Sequence, residues 1–296
     1  MILILGSNGY VGKALREYLH KEEVPFTTLS ARFPLDEERL KEEIIKNKAT
    51  AIINCSGFTG KPNVDECEKE GVKQECLFAN ALFPAAVAKI CDSLGIKFVH
   101  VSSGCIFTDP RCDSGSTPFI QFTEDSEPNF TFEKGNCSWY SGTKALGESL
   151  VKQADPRAVI ARLRIPFNGD LNPRNYISKL IKYPKLLNAT NSFSQLDEFV
   201  KTLHTLAESY ISGPINLTQP GYMTTIEVVR LLQKYHLVTT KEWFESVDHF
   251  NSTVAAPRSN CVLDCSEAIR SGFELTHINQ AMEEAISKYA YNLTKQ

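Results

Sequence analysis

The first twelve residues constrain the chain more than any other stretch. Ile2, Leu3, Ile4 and Leu5 form an unbroken apolar run that passes straight into Gly6-Ser7-Asn8-Gly9-Tyr10-Val11-Gly12. Four apolar residues without alternation read as a strand buried on both faces, the habit of a parallel sheet. A G-x-x-G-x-x-G spacing behind such a strand, with Val11, Ala14, Leu15, Tyr18 and Leu19 following at helical spacing, reads as a strand–turn–helix unit that seats a dinucleotide. The first glycine makes the tight turn, the second lets a pyrophosphate approach the backbone, and the third lets the helix pack on the sheet. The helix then offers its unpaired N–H groups and positive dipole end to the phosphates. Gly6, Asn8, Gly9, Tyr10, Val11 and Gly12 are therefore candidate cofactor-binding residues.

The alternation continues. Strands are expected at Phe26–Leu29, Ala51–Asn54, 97–101 and Val159–Leu163, with helices at 35–46, 77–94 and around Tyr140 between them. That order predicts an α/β fold, a doubly wound parallel sheet. Ligands in such sheets sit at the carboxyl ends of the strands, which brings in the small-residue loop Cys55, Ser56, Gly57. At the end of the second strand a carboxylate would bond the ribose 2′-hydroxyl of NAD. This chain has Ser30-Ala31-Arg32 there and no acid until Asp36, so Arg32 is free to face a 2′-phosphate, which favours NADPH over NADH. After Pro166 the pattern loosens into short helices at 176–183, 195–209, 226–235 and 278–289. The expected division is a cofactor domain over 1–165 and a smaller substrate-facing lobe over 166–296, with part of 195–218 free to rejoin the first domain's sheet.

Tyr140 and Lys144 stand at i and i+4, on one face of a helix and a turn apart. A phenol with a pKa of about 10 is a poor base at neutral pH but a usable acid. A nearby ammonium favours the phenolate and lowers that value. The pair suits delivery of a proton to a carbonyl oxygen as hydride reaches the carbon. Asn80, inside the expected 77–94 helix, reads as a polar packing contact.

Charge and cysteine usage exclude other classes. Net charge is -3 over 296 residues, so there is no basic field for nucleic acid or an anionic membrane. No apolar run approaches membrane-spanning length, and Met1–Gly6 lacks the basic start and cleavage site of a signal peptide. Nine cysteines without a C-x-x-C pair read as reduced thiols of a cytoplasmic protein, with no metal site.

The glycine turn taken with Y-x-x-x-K resembles the extended short-chain dehydrogenase/reductase superfamily. Five further blocks are similar to the nucleotide-rhamnose synthase family: Gly60-Lys61-Pro62-Asn63-Val64-Asp65, Gly104-Cys105-Ile106-Phe107, Glu127-Pro128-Asn129-Phe130-Thr131, Asn172-Pro173-Arg174-Asn175 and Ala256-Pro257-Arg258-Ser259-Asn260. The similarity runs from Leu3 to about Tyr289. It implies a Rossmann fold and a bifunctional 3,5-epimerase/4-keto-reductase that converts UDP-4-keto-6-deoxyglucose to UDP-β-L-rhamnose with NADPH. An upstream 4,6-dehydratase and a second copy of the chain are the partners it allows.

By position the resemblance makes Ser103, Tyr140 and Lys144 the reductase triad, with Lys144 also on the nicotinamide ribose, and Cys105 and Lys179 the epimerase pair. Asn63, Ser103, Arg174, Asn175 and Arg258 become substrate contacts. A C4 ketone acidifies the C3 and C5 protons, and inversion needs one group to remove a proton and another to return one. Cys105, two residues past Ser103, points the same way as Ser103 if the segment is extended, and a neighbouring Lys179 cation would ease loss of its proton. Which of the two is acid stays open. The chain departs from the family in having Ser103 where threonine is usual, and in a longer lead-in at 132–139. Two other readings also stay open: a dTDP-4-dehydrorhamnose reductase without epimerase activity, and a non-catalytic nucleotide-binding regulatory subunit.

Overall fold

The computed structural model describes residues 1–29, 36–115 and 117–295. The expected cofactor-discriminating residues Ser30 and Arg32 lie outside the described residues. Strands β1 (Ile2–Leu5), β2 (Phe26–Leu29), β3 (Ala51–Asn54), β4 (Lys97–Ser103), β5 (Val159–Leu163) and β6 (Gly213–Asn216) form one sheet in the order β6-β5-β4-β3-β1-β2. Every pairing in it is parallel.

Successive side chains of β1 enter opposite cores, which is why the run has no polar alternation. Ile2 and Ile4 pack with Leu15, Leu19, Val99 and the Leu196–Glu208 helix. Leu3 and Leu5 pack with Leu40, Ile44, Phe83, Val87 and Phe98 on the other face. A separate cluster of Phe167, Ile177, Leu180, Phe193, Val228, Met282 and Ile286 lies beyond the sheet. It is built by the Tyr176–Lys182, Thr225–Lys234 and Ile278–Leu293 helices.

The strand order reverses between β1 and β3, because the chain steps from β1 out to β2 and returns on the far side of β1. Such a switch point opens a crevice at the carboxyl ends of the strands. Gly6 follows β1 there and Cys55 follows β3.

Three expectations change. The 77–94 helix begins earlier, as a continuous Glu70–Leu94 helix with a π-turn at Phe78–Leu82. This helix is long and apolar enough to cross a bilayer by length and hydropathy alone, which corrects the reading that no apolar run reaches that length. Here Phe83, Val87, Ile90 and Cys91 bury its apolar side against the sheet. The 97–101 strand runs on to Ser103, and Gly104–Ile106 then curls into a 3-10 turn. Ser103 and Cys105 therefore do not share the face of an extended segment.

Candidate active site

Gly6 adopts φ +72°, and a Cβ there would lie 2.4 Å from the Ser56 nitrogen, so the β1 turn and the β3 loop touch backbone to backbone. A Cβ on Gly12 would lie 2.2 Å from the Gly6 carbonyl oxygen. These two positions fix the turn sterically. Gly9 is the N-cap of the Tyr10–Lys21 helix, with no side-chain cap and no acid in the first turn. The helix therefore keeps its first N–H groups and positive end available to an anion. Asn8 accepts from Arg16 at 3.0 Å, Val11 packs into the core, and the Tyr10 hydroxyl donates to Asn168 at 3.1 Å. Burial, with Asp170 and Asp197 nearby, pushes the Tyr10 phenol far up. It is a tether to the 166–170 segment.

On the other lip, Asn54 accepts from the Ser56 N–H at 3.0 Å and from its hydroxyl. Burial raises the Cys55 thiol to about 12. The π-turn turns Asn80 inward beneath this loop. Its amide accepts from the Phe58 N–H at 2.8 Å and donates to the Phe58 carbonyl at 2.9 Å and to the Thr143 hydroxyl at 3.2 Å. Asn80 is a packing contact, as its position implies, and it joins the cofactor loop to the Tyr140 helix.

That helix, Trp139–Ala154, starts at Ser138, whose hydroxyl accepts from the Ser141 N–H at 3.1 Å. The 132–139 lead-in anchors the helix start. The Phe132 and Trp139 rings pack at a tilt with centroids 4.9 Å apart, the Trp139 N–H donates to Glu68 at 2.7 Å, and its indole donates to the Lys73 carbonyl at 3.0 Å. Farther along, Glu148 pairs with Arg162 at 3.0 Å and accepts from the Ser102 hydroxyl at 2.5 Å, all three buried. Ser102 precedes Ser103, so one ion pair locks the helix against the ends of β4 and β5.

Tyr140, Ser103 and Cys105 meet in this corner. Burial pushes the Tyr140 phenol well above its ordinary value and the neighbouring Cys105 adds to that, against a hydrogen bond with Ser103. Cys105 is 7% exposed. Burial raises it too, opposed by hydrogen bonds with Ser103 and Ser141 and by the Arg164 and Lys144 charges. Lys144 turns its ammonium to the Val101 carbonyl at 3.0 Å, and burial lowers it against the pull of Cys105 and Glu148. Burial, not the lysine, thus sets the phenol, and it holds Tyr140 as a protonated donor.

A second group of charges gathers around Lys179. Lys179 sits on the Tyr176–Lys182 helix, lowered by burial first and then by the Arg174 and Arg258 charges. Arg174 donates to the Thr59 hydroxyl and the Gly60 carbonyl. Arg258 forms a two-pronged pair with Asp65 at 2.9 and 3.0 Å. Burial pushes the Asp65 carboxyl up, but the bonds from Arg258 and the Ala256 N–H outweigh it and hold the group low. Of these three cations only Arg258 forms an ion pair among the described residues, an arrangement suited to an anionic ligand.

Two substrate-contact expectations change character. Asn175 has no exposed surface; its amide donates to the Asn168 and Asp170 carbonyls at 2.8 Å each, and its carbonyl caps the Lys179 helix. It shapes the turn that presents Arg174 and Lys179. Asn63 caps the Val64–Glu68 turn by accepting from the Asp65 N–H at 2.9 Å. The two sides of the site are joined by one loop: Arg258 faces Lys179, while the next residue, Ser259, bonds both the Phe107 carbonyl and Arg164. Sequence reasoning passed over Asp65, Glu68, Ser141 and Arg164. Asp65 was visible as the last residue of its block; the others had no local signal.

A phosphate-ready glycine turn, a tyrosine and lysine on one helix and a serine at a strand end are the parts that a reductase of the short-chain dehydrogenase type uses. Residues 1–190 match the RmlD substrate binding domain family, and the chain belongs to that family. It is 33% identical over 295 residues to the Arabidopsis thaliana trifunctional UDP-glucose 4,6-dehydratase/UDP-4-keto-6-deoxy-D-glucose 3,5-epimerase/UDP-4-keto-L-rhamnose-reductase RHM1, covering 99% of this chain but only 42% of that protein. It is 31% identical over 284 residues to the Arabidopsis thaliana bifunctional dTDP-4-dehydrorhamnose 3,5-epimerase/dTDP-4-dehydrorhamnose reductase, covering 95% of this chain and 90% of that one. Among solved structures, the L780 UDP-rhamnose synthase of Acanthamoeba polyphaga mimivirus superposes with a TM-score of 0.88 at 26% identity, over 97% of this chain and 98% of that one. The Bacillus anthracis dTDP-4-dehydrorhamnose reductase, solved in complex with NADP, shares the fold with a TM-score of 0.79 at 19% identity, over 98% of each chain.

Proposed function

We propose that the protein is a bifunctional 3,5-epimerase and NADPH-dependent 4-keto-reductase that converts UDP-4-keto-6-deoxyglucose to UDP-β-L-rhamnose. The observation that carries this reading is that the Tyr140 phenol and the Cys105 thiol are buried side by side at Ser103, whose hydroxyl accepts from the Cys105 N–H at 3.2 Å. The group that would polarise a ketone thus adjoins a group able to move a proton at the neighbouring carbon. The names of the bifunctional Arabidopsis relative and of the mimivirus UDP-rhamnose synthase, whose lengths this chain nearly spans, support the same reading. The uncapped helix behind Gly9 and the backbone contact at Gly6 fit a dinucleotide pyrophosphate.

Ser103 and Tyr140 hold the C4 carbonyl oxygen and stabilise the enolate that forms when C3 or C5 loses its proton. Lys179, partly buried and under the Arg174 and Arg258 charges, gives up its own proton readily and is the base. Cys105, held protonated by burial, is the acid that returns a proton from the other face. When bound, NADPH supplies the hydride for C4. Tyr140 donates the proton to the C4 oxygen, and Lys144 holds the nicotinamide ribose. Arg174 and Arg258 grip the diphosphate. A 4-keto-6-deoxy hexose is the product of a 4,6-dehydratase, which places that class of reaction upstream.

The second reading is a dTDP-4-dehydrorhamnose reductase that has no use for the Cys105–Lys179 pair; the match of residues 1–190 to the RmlD family favours it. Incubation with NADPH and UDP-4-keto-6-deoxyglucose in deuterium oxide separates the two. The expected result is loss of NADPH absorbance with deuterium at C3 and C5 of the product sugar by NMR. NADPH loss with no deuterium at those carbons, or NADPH loss only when dTDP-4-dehydrorhamnose replaces that sugar, leaves only the reductase, and no NADPH loss with either sugar removes both.

A further inference from the structure

We propose that Arg164 is a positioning residue for proton transfer at Cys105, a fixed buried cation placed behind the thiol so that sulfur can carry negative charge during turnover. This rests on the reading of Cys105 as an acid–base group. Arg164 follows β5 directly and is 6% exposed. Its Nη2 donates to Asn191 Oδ1 and to the Ser259 carbonyl, both neutral acceptors. Its Nε is buried with no hydrogen-bond partner. Among the described residues no carboxylate forms an ion pair with it, whereas Arg162, two residues earlier, is fully engaged by Glu148. A buried cation with no counter-charge is costly, and a fold that keeps one in a cleft marks a functional-site candidate.

Its charge acts on Cys105 and also reaches Cys112, Tyr176 and Cys261. The side-chain stem runs along Gly104, where a Cβ would come within 3.3 Å of Arg164 Cδ, and the next residue is Cys105. The backbone is fixed by donation to the Ser194 hydroxyl at 2.9 Å. The head group is held through Asn191, whose Oδ1 also accepts from the Cys261 N–H at 3.1 Å. The other groups facing the Cys105 thiol are Lys144, Tyr140 and Ser141 from the Tyr140 helix, Cys137 ahead of that helix, and Ser103 from β4. Of the two cations, Lys144 can lose its proton and is committed to the Val101 carbonyl. A guanidinium stays charged at all working pH. In the transfer the S–H bond breaks as the new C–H bond forms, the electron pair stays on sulfur opposite Arg164, and a solvent proton then restores the thiol.

A structural bolt for the 256–260 loop would use the same two hydrogen bonds, so the test separates charge from bonding. The full chain is alkylated with iodoacetamide across a pH series, and Cys105 is followed by peptide mass spectrometry. Arg164→Gln keeps polar contacts but removes the charge; it is expected to raise the Cys105 midpoint by about one pH unit, roughly a tenfold slower reaction below it. Arg164→Lys keeps the charge and is expected to restore most of the shift. Arg164→Met is the neutral variant to use if the glutamine form fails to fold. A neutral variant that overlays the wild type overturns the proposal, and so does a lysine variant shifted as far as the neutral one. A parallel arm reads deuterium uptake at C3 and C5 against NADPH oxidation, and that ratio is expected to fall about tenfold in Arg164→Gln. If the wild type itself takes up no deuterium, the function proposed above fails, while the alkylation profiles, which need no substrate, still decide the role of Arg164.

Discussion

At the scale of the residue, the two groups proposed to move protons are tuned in opposite directions by their surroundings. Lys179 is lowered from the usual lysine value by burial and by the Arg174 and Arg258 charges. Cys105 is raised from the usual thiol value by burial, its hydrogen bonds and nearby cations only offsetting this. A base works once it is neutral and an acid while it is still protonated. Solvent exchange at C3 and C5 is therefore expected to rise with pH as Lys179 deprotonates, beginning below the ordinary lysine range, and to fall again when Cys105 ionises, above the ordinary thiol range. Measuring deuterium uptake from pH 6 to pH 10 tests this. Lys179→Met should flatten the rising limb and lose about 10²–10⁴-fold in exchange, and a rising limb that survived the substitution would remove Lys179 from the role of base. Gly6, Gly12, Tyr140 and Lys144 were legible because their spacing is local: a turn needs its glycines in order, and a helix brings i and i+4 together. Asp65 and Arg258 meet across 193 residues, and Arg164 meets Ser259 across 95. No pattern within a window of sequence reports such pairs.

At the scale of the element, the π-turn at Phe78–Leu82 matters most. An ordinary helix through 77–94 would satisfy the apolar spacing equally well, so the periodicity gave no reason to expect it. One extra residue in the turn rotates Asn80 inward. Its amide then serves Phe58, which follows the Cys55–Gly57 lip, and Thr143, one turn past Tyr140. Asn80 is fully buried, so removing its amide strands the Phe58 N–H and carbonyl. Asn80→Ala is expected to lower stability by about 1–3 kcal/mol, the cost of buried groups left unpaired. It should also weaken NADPH binding, because the 55–58 lip loses its support. Thermal melts and a fluorescence titration with NADPH read the two effects. A variant as stable as the wild type with unchanged NADPH affinity would show that the π-turn is incidental to the cofactor site.

At the scale of the whole molecule, the parallel sheet was readable from its strand–helix alternation, and inside it the polar Asn54 pairs with the His100 ring of the next strand at 3.1 Å. The closure of the site was not readable, because it depends on the segment after β3 meeting the 256–260 loop. Asp65 is the joint: it accepts from Arg258 through both oxygens and from the Ala256 N–H at 3.0 Å. Its carboxyl is held below its ordinary value by those bonds in spite of burial. For a carboxylate lowered in the fold, the stabilisation is present above the unfolded pKa, about 3.9, and is lost as pH falls through the folded value. Asp65→Asn is therefore expected to lower stability at pH 7 by about 1 kcal/mol, a modest figure because the pair is partly solvated. The gap between variant and wild type should narrow as the pH falls below about 4 in urea titrations. In catalysis the variant frees Arg258 from its orienting partner, so KM for the nucleotide sugar should rise several-fold while kcat changes less, the signature of lost binding that does not discriminate the transition state. A constant stability gap down to pH 3 would mean that Asp65 acts through packing and not through its charge.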